Sequence, residues 1–383
     1  MTPVHNDHNV YILGAGFSAD RGLPLIPDFM LAVRDAHEWL VSNGRADEAR
    51  SIEKVLDYRL RAASAAYRVP LDLENIEELF SLAAASTEKL TDDICTAIAA
   101  TLDFRLSVRA NPRMCFRAAT TLPRPSHWTP EVPAGVAIPG ADPEFKVPAY
   151  EYYLQALIGR LRDGSTVGEN TFISFNYDTL VEEALSNLDL TFSYGFGTKS
   201  INYAPSFAGF RHDPNAALKV YKLHGSVNWA RPGSQGRKLT VYRSYADFYR
   251  AKIPPIIVPP TWRKQFIGQL GDIWNGALKA IETATRLIVI GFSIPETDVH
   301  FKYLMAAGLQ NNISLREILF VNPDRDTLLK RVESVFGANP SRAFHFGITG
   351  TRLDAFVSQQ LCYEETYGRV VNRSLQNFGL QRS

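Results

Sequence analysis

The sequence predicts an α/β fold: a Rossmann-like parallel sheet with a large helical insertion and no zinc ribbon. Three observations lead there. A short apolar run at residues 10–13 breaks into Gly14-Ala-Gly-Phe-Ser18, which reads as strand, tight turn and helix start. From residue 170 onward, short apolar runs at 171–175, 190–194, 218–223, 256–258, 287–290 and 318–321 alternate with helical segments. Such alternation is the signature of a parallel, doubly wound sheet. Between these regions the period changes: residues 28–105 show apolar spacings of three and four, through 29–41, 46–67 and 75–106. The first strand therefore pairs with elements some 150 residues later. The helices between them form an insertion, 28–165, on one sheet-based unit spanning 1–383.

Inside the insertion, residues 112–148 hold eight of the chain's 22 prolines. Proline lacks a backbone donor and bars helix interiors, so this stretch is expected to be an extended arm. Helical pattern returns at 150–162, and residues 330–383 read as a C-terminal extension with a last strand near 344–347 and a helix over 353–363.

Composition excludes several functions. Of 383 residues, 45% are apolar and 21% charged, ordinary for a globular chain with a sizeable core. The net charge of +1 gives no long-range attraction for nucleic acid, so direct nucleic-acid binding is not expected. Cys95, Cys115 and Cys362 stand far apart with no CxxC, too few for a four-thiolate zinc site or a disulfide framework. The expectation is a reduced, cytoplasmic protein. The polar first ten residues carry no secretory h-region, and no apolar run approaches the roughly 20 residues of a membrane helix.

Four stretches carry candidate chemistry. Gly14-Ala15-Gly16-Phe17-Ser18-Ala19 fits G-x-G-x-x-G/A, whose glycines let backbone approach a pyrophosphate at a helix start. A tight strand-to-helix turn without a ligand gives the same letters. The acidic residue that a dehydrogenase places about 20 positions on is matched here only by Asp35, inside an amphipathic helix, which argues against hydride transfer. Instead, Gly22-Leu-Pro24 breaks the chain again, as a loop folding over a nucleotide would.

Ser174-Phe-Asn176-Tyr-Asp178 follows an apolar run, and residues past the carboxyl ends of parallel strands line the ligand crevice. Asn176 is suited to orient a ribose hydroxyl or a water, being donor and acceptor at once. It can equally close a turn, and Asp178 can simply cap the next helix, where Glu182 and Glu183 favour the positive end. His224 ends another run before Gly225, which leaves room beside it, and is the candidate general base; a structural histidine is the plainer reading. Gly291-Phe292-Ser293 and Asn322-Pro-Asp324 repeat the pattern of strand then small polar residue, as nucleotide contacts or as helix caps.

In this order the motifs resemble those of the sirtuin family. Gly14-Ala-Gly-Phe-Ser18 with Gly22-Leu-Pro24 is similar to its Gly-Ala-Gly-x-Ser…Gly-Ile-Pro turn, Asn176 and Asp178 to its Asn-x-Asp, His224-Gly225 to its His-Gly, Gly291-Phe-Ser293 to its Gly-Thr-Ser, and Asn322 to its adenosine-side asparagine. The zinc ribbon and the acyl-lysine groove motif Phe-Gly-Glu have no counterpart. Where the family has Asp-Phe-Arg after the glycine–proline break, this chain has Leu25-Ile26-Pro27.

Nucleotide-side motifs kept with peptide-side motifs lost is the pattern of sirtuin-like effectors of bacterial antiphage defence. The resemblance implies an NAD⁺ glycohydrolase with NAD⁺ as substrate and no zinc. Its catalytic residues would be Asn176, His224 and Asp178, with Gly14, Ala15, Gly16, Phe17, Ser18, Gly22, Gly291, Phe292, Ser293 and Asn322 holding the dinucleotide. It also implies a gate on a toxic activity: a homo-oligomer, or a partner such as a HerA-type ATPase or an Argonaute. A protein deacylase, an ADP-ribosyltransferase and a non-catalytic NAD or ADP-ribose-binding module are the alternatives.

Overall fold

The computed structural model describes residues 7–66, 68–69, 71–86, 89–117, 144–160, 168–197, 201–232, 238–258, 267–295, 299–337 and 344–357. The chain opens with β1 (His8–Leu13), buried along its whole length. A strand covered on both faces must be a continuous apolar run, which is what residues 10–13 supply. It runs directly into the one-turn helix α1 (Ala15–Ser18).

Four helices follow: α2 (Ile26–Ser42), α3 (Ala46–Ala66), α4 (Ile76–Ala85) and α5 (Thr91–Val108). Pro27 sits in the first turn of α2, where its missing N–H costs nothing. Asn75 caps α4 by accepting from the amides of Glu77 and Glu78 at 2.9 and 3.4 Å. The helical run expected over 75–106 is thus two helices with a break between 85 and 91. In α5 the small buried residues Ala97, Ala99 and Ala100 permit close packing against its neighbours α2, α3 and α4.

The ends of the proline-rich arm form an antiparallel pair, β2 (Arg113–Arg117) with β3 (Glu144–Pro148), in register from Arg113 opposite Pro148. Residues 118–143 of that arm lie outside the described residues. After the wholly buried α6 (Ala149–Leu157) come β4 (Glu169–Ser174) and α7 (Leu180–Asn187).

Next come five short strands: β5 (Ile201–Tyr203), β6 (Lys219–Lys222), β7 (Gly225–Ala230), β8 (Leu239–Val241) and β9 (Pro255–Ile257). The chain then alternates helix and strand: α8 (Ile267–Thr283), β10 (Arg286–Ile290), α9 (Val299–Gln310), β11 (Glu317–Val321), α10 (Arg325–Phe336), β12 (His345–Ile348) and the short α11 (Leu353–Ala355).

The main sheet has six parallel strands in the order β12-β11-β10-β1-β4-β6. From β1 the chain builds outward through β4 to β6, then crosses to the other flank of β1 for β10, β11 and β12. The connections out of β1 and β10 diverge, so a crevice opens beyond their carboxyl ends. Helices α2–α6 all lie between the adjacent strands β1 and β4.

Two expectations need correction. Residues 256–258 do not join the parallel sheet; β9 belongs to a second sheet of four strands, β5-β8-β7-β9, where β7 runs antiparallel to both neighbours. Residues 190–194 make only two isolated bridges, Phe192 with His212 and Ser193 with Lys219. Phe192 and Tyr194 turn into an aromatic cluster with Phe207, Phe210 and His212, and the backbone leaves at Gly195 with φ of +76°. Within residues 330–383, after the end of α10, the last strand expected near 344–347 forms as β12 at the edge of the main sheet. The helix expected over 353–363 is described only to residue 357; later residues, Cys362 among them, lie outside the described residues.

Candidate functional site

Two glycine turns meet where the strand connections diverge. The Gly14 amide donates to the Ile290 carbonyl at 3.0 Å and the Gly16 amide to the Gly291 carbonyl at 2.8 Å. A Cβ on Gly14 would lie 2.5 Å from Phe292 Cα, and one on Gly16 2.7 Å from Gly291 Cα. Gly291 itself has φ of +61°, and its Cβ would fall 2.2 Å from the Phe17 nitrogen. The glycines are therefore demanded by backbone pressed on backbone, a requirement that precedes any ligand.

Above this floor opens a cavity of about 580 Å³, within the range of small-molecule sites. Gly14, Ala15, Gly16, Ser18, Asn176, Asp178, His224, Gly291, Phe292, Ser293 and Asn322 all line it. Residues from five strand ends, far apart in sequence, thus share one space. Phe17 and Gly22 do not. Phe17 is 1% exposed, its ring edge-on to Tyr150 at 5.4 Å. Gly22 ends the turn after α1 with φ of +82°, tight against Arg109. Both support the turn from behind.

A polar relay ties the strand ends together. Asn176 donates from Nδ2 to the Gly14 carbonyl at 2.8 Å and to Ser18 Oγ at 3.0 Å. Ser18 in turn donates to Asp178 Oδ2 at 2.6 Å, while Asp178 Oδ1 accepts from the Leu180 amide at 3.1 Å. Asp178, one residue before the Thr179 N-cap, thus holds the first amide of α7 while lining the cavity. Because the Asn176 NH₂ serves Gly14 and Ser18, its carbonyl oxygen is the half suited to a hydroxyl or water in the cavity.

Beneath the loop lies a fully buried ion pair, Lys222 Nζ to Glu182 Oε1 at 3.2 Å. Lys222 also donates to the Asp178 carbonyl oxygen. Tyr194 donates to Glu182 Oε1 at 3.1 Å. Burial pushes the Glu182 carboxyl above its ordinary range, with the Lys222 ammonium opposing. Burial, then Glu182, pushes the Tyr194 phenol well up. Glu182 stands in the first turn of α7, as its position in the sequence suggests, but buried against Lys222.

His224 is 3% exposed and sits edge-on to the Phe175 ring, centroids 5.0 Å apart. Its backbone is held on both sides: Leu223 donates to the Ser174 carbonyl at 3.0 Å, and the His224 carbonyl accepts from Val258 at 2.9 Å. Gly225 has φ of +81°, and a Cβ there would meet the Ile256 carbonyl oxygen at 2.1 Å. Its role is the sharp turn from the main sheet into the second one, rather than space beside the imidazole.

Some lining residues were not foreseen. Arg331 lines the mouth and donates to the Ser293 carbonyl at 2.8 Å. Asp20 takes Tyr153 at 2.8 Å and an ion pair from Arg352. Asp324, read from the sequence as a nucleotide contact or a helix cap, lines the cavity too and caps α10 at the Thr327 amide, 3.2 Å away. The apolar wall comes from the inserted helices: Phe29 of α2, Ile76 and Phe80 of α4, Ile98 and Leu102 of α5. No motif marks these; an Arg or an apolar residue at helical spacing reads as surface or core. Trp229 is core, and Trp274 donates to the Leu223 carbonyl at 3.2 Å. Trp262 lies outside the described residues.

Among the described residues, no group of three His, Cys, Asp or Glu is placed to hold a metal ion. Nor is any described helix long and apolar enough to cross a membrane. Chemically, the arrangement offers a positioned amide, a nearly enclosed imidazole and an acidic support around one cavity floored by close-packed glycine turns.

Residues 170–336 match the family model of the SIR2-like domain. No curated protein matches the chain. Among solved structures, a Sir2 complex with the inhibitor EX-527, 2'-O-acetyl-ADP-ribose and deacetylated p53 peptide is 12% identical, with 93% of this chain and 94% of that one covered and a TM-score of 0.38. A Sir2 homologue bound to 2'-O-acetyl ADP ribose is 13% identical, over 98% and 94% of the two chains, with a TM-score of 0.36.

Proposed function

We propose that the chain hydrolyses NAD⁺ to ADP-ribose and nicotinamide. The observation that carries this reading is that Asn176 and His224, 48 positions apart, line one cavity floored by two glycine turns. The match of residues 170–336 to the SIR2-like domain supports it.

The bond that breaks joins ribose C1' to the pyridinium nitrogen. Its electron pair leaves with nicotinamide, which departs neutral, so no general acid is required. The site must steady a cationic ribose and place water at C1'. Asn176 Oδ1 would orient the ribose or the water, and His224 would take the proton released as water bonds to C1'. A positioned base contributes about 10²–10⁴-fold. Asp178 would hold Ser18, and through it Asn176, at the 2.6 and 3.0 Å seen here. Gly14, Ala15, Gly16 and Ser18 would face the pyrophosphate, and Asn322 the adenosine side.

Following the resemblance of the motifs, we place the activity in NAD⁺ depletion during bacterial antiphage defence, in the cytoplasm. Self-association, or a partner such as a HerA-type ATPase or an Argonaute, would restrain it. The test is product analysis with NAD⁺ and water alone: nicotinamide and ADP-ribose in equal amounts support hydrolysis. Nicotinamide release that requires an acylated peptide would make the chain a deacylase, and label appearing on protein a transferase. Tight NAD⁺ binding with no turnover, candidate activators present, would leave a binding module.

A further inference from the structure

Lys222 stands out as a buried cation that the proposed chemistry does not use. It lies at the end of β6, 1% exposed, two residues before His224. Its Nζ is shared between the Glu182 carboxylate at 3.2 Å and the Asp178 carbonyl oxygen. Asp178 closes the loop that begins at Phe175, whose amide donates to the Leu13 carbonyl at 2.9 Å. Burying an ammonium group is expensive unless every donor finds a partner, so a lysine kept here needs a reason. Glu182 alone does not supply one, because an apolar pair would fill the same space at little cost.

The carbonyl contact does supply one. Held from the front by Ser18 at 2.6 Å and from behind by Lys222, Asp178 has its side chain and its peptide fixed on opposite sides. The same ammonium is covalently part of the strand that delivers His224.

We infer that Lys222 is a positioning residue: its hydrogen bond to the Asp178 carbonyl sets the Asn176 loop in register with the strand end that carries His224. The inference rests on the NAD⁺-hydrolase reading for its kinetic arm, and on the coordinates alone for its structural arm. Glu182 and Tyr194 serve it by balancing the charge and fixing the ammonium's place.

The test compares two double variants with the wild type. Lys222→Met/Glu182→Leu removes the pair without stranding a charge, and Lys222→Gln/Glu182→Gln keeps a neutral donor of similar reach. Amide hydrogen exchange is read at Phe175, Asn176 and Leu180, whose N–H groups are bonded to Leu13, Ser174 and Asp178. In the folded apolar pair these amides are expected to exchange at least tenfold faster. Its kcat is expected to fall at least tenfold with KM changed less than threefold, because binding groups stay and register is lost. The amide pair is expected to keep both readouts within threefold of wild type. Should the apolar pair fail to fold, the amide pair decides alone, a tenfold loss in fully folded protein overturning the inference. Wild-type exchange and kcat in the apolar pair would also overturn it, as would an amide pair no better than the apolar one. A wild type without NAD⁺ turnover would remove the hydrolase reading and leave the exchange data to judge Lys222 by themselves.

Discussion

Asn176 donates its side-chain amide to the Gly14 carbonyl at 2.8 Å, so the end of β4 is stitched to the glycine turn at the end of β1. The bond is part-buried and spans 162 positions of sequence. Asn176→Ala removes it together with the bond to Ser18, and is expected to cost about 1–3 kcal/mol of stability. Asn176→Asp is expected to be worse, since a carboxylate oxygen would replace a donor opposite the Gly14 carbonyl. Urea unfolding of the two variants side by side checks the order.

Ser18→Ala breaks the relay at its centre. The hydroxyl is 2% exposed, donates to Asp178 at 2.6 Å and accepts from Asn176 at 3.0 Å. A loss of about 1.5–3 kcal/mol is expected, as for a hydrogen bond to a charged group. Ser18→Ala and Asn176→Ala share one network, so the double variant should lose less than the sum of the two.

The glycines give a contrast within one protein. Gly291→Ala places a methyl 2.2 Å from the Phe17 nitrogen at φ of +61°, whereas Gly337→Ala, at φ of +84°, meets nothing within 4 Å. With ψ of 171° Gly337 sits in a region almost reserved for glycine, so the second substitution should cost about 1–3 kcal/mol of backbone strain. The first should exceed it by several kcal/mol or fail to fold. Thermal denaturation of both variants measures the difference.

His212 makes stability fall in acid. Burial among aromatic rings pushes its imidazole down to about 4, with Asp213 opposing. The unfolded chain takes up a proton near the ordinary 6.5 and the folded one does not until about 4. The unfolded state therefore binds more protons in that window, and stability drops as pH falls from 6.5 toward 4. With partial exposure discounted, the contribution is on the order of 1–2 kcal/mol. His212→Phe should flatten this limb of the urea midpoint against pH, leaving values above pH 7 nearly parallel to wild type.

How far the sequence reaches depends on whether a signal is local. β1, β4, β6, β10 and β11 announce themselves as apolar runs because both faces are covered, and the strand-end motifs mark the crevice by position alone. Position alone therefore brings Asn176, His224 and the glycine turns into one neighbourhood, the cavity they line. The second sheet was missed because β5 and β8 are three residues each, too short to show a period, and β9, visible as an apolar run, carries no local sign of which sheet it joins. Lys222 and Glu182 each had a sufficient local explanation, a flank to an apolar run and a charge at a helix start; their pairing is a property of the fold. That Phe17 and Gly22 stand behind the turn, off the cavity lining, is hidden for the same reason, since a motif does not say which of its residues face inward. Arg352 reaches Asp20 across 332 positions, which no pattern encodes.

A double-mutant cycle on NAD⁺ turnover, joining Asn176→Ala and His224→Ala, tests most directly whether amide and imidazole act on one substrate. Each single variant is expected to lose about 10²–10⁴-fold in kcat while remaining folded, and the double variant to lose little more than the worse single one. Turnover near the wild-type rate in either single variant, or losses that simply multiply, would contradict a shared reaction centre.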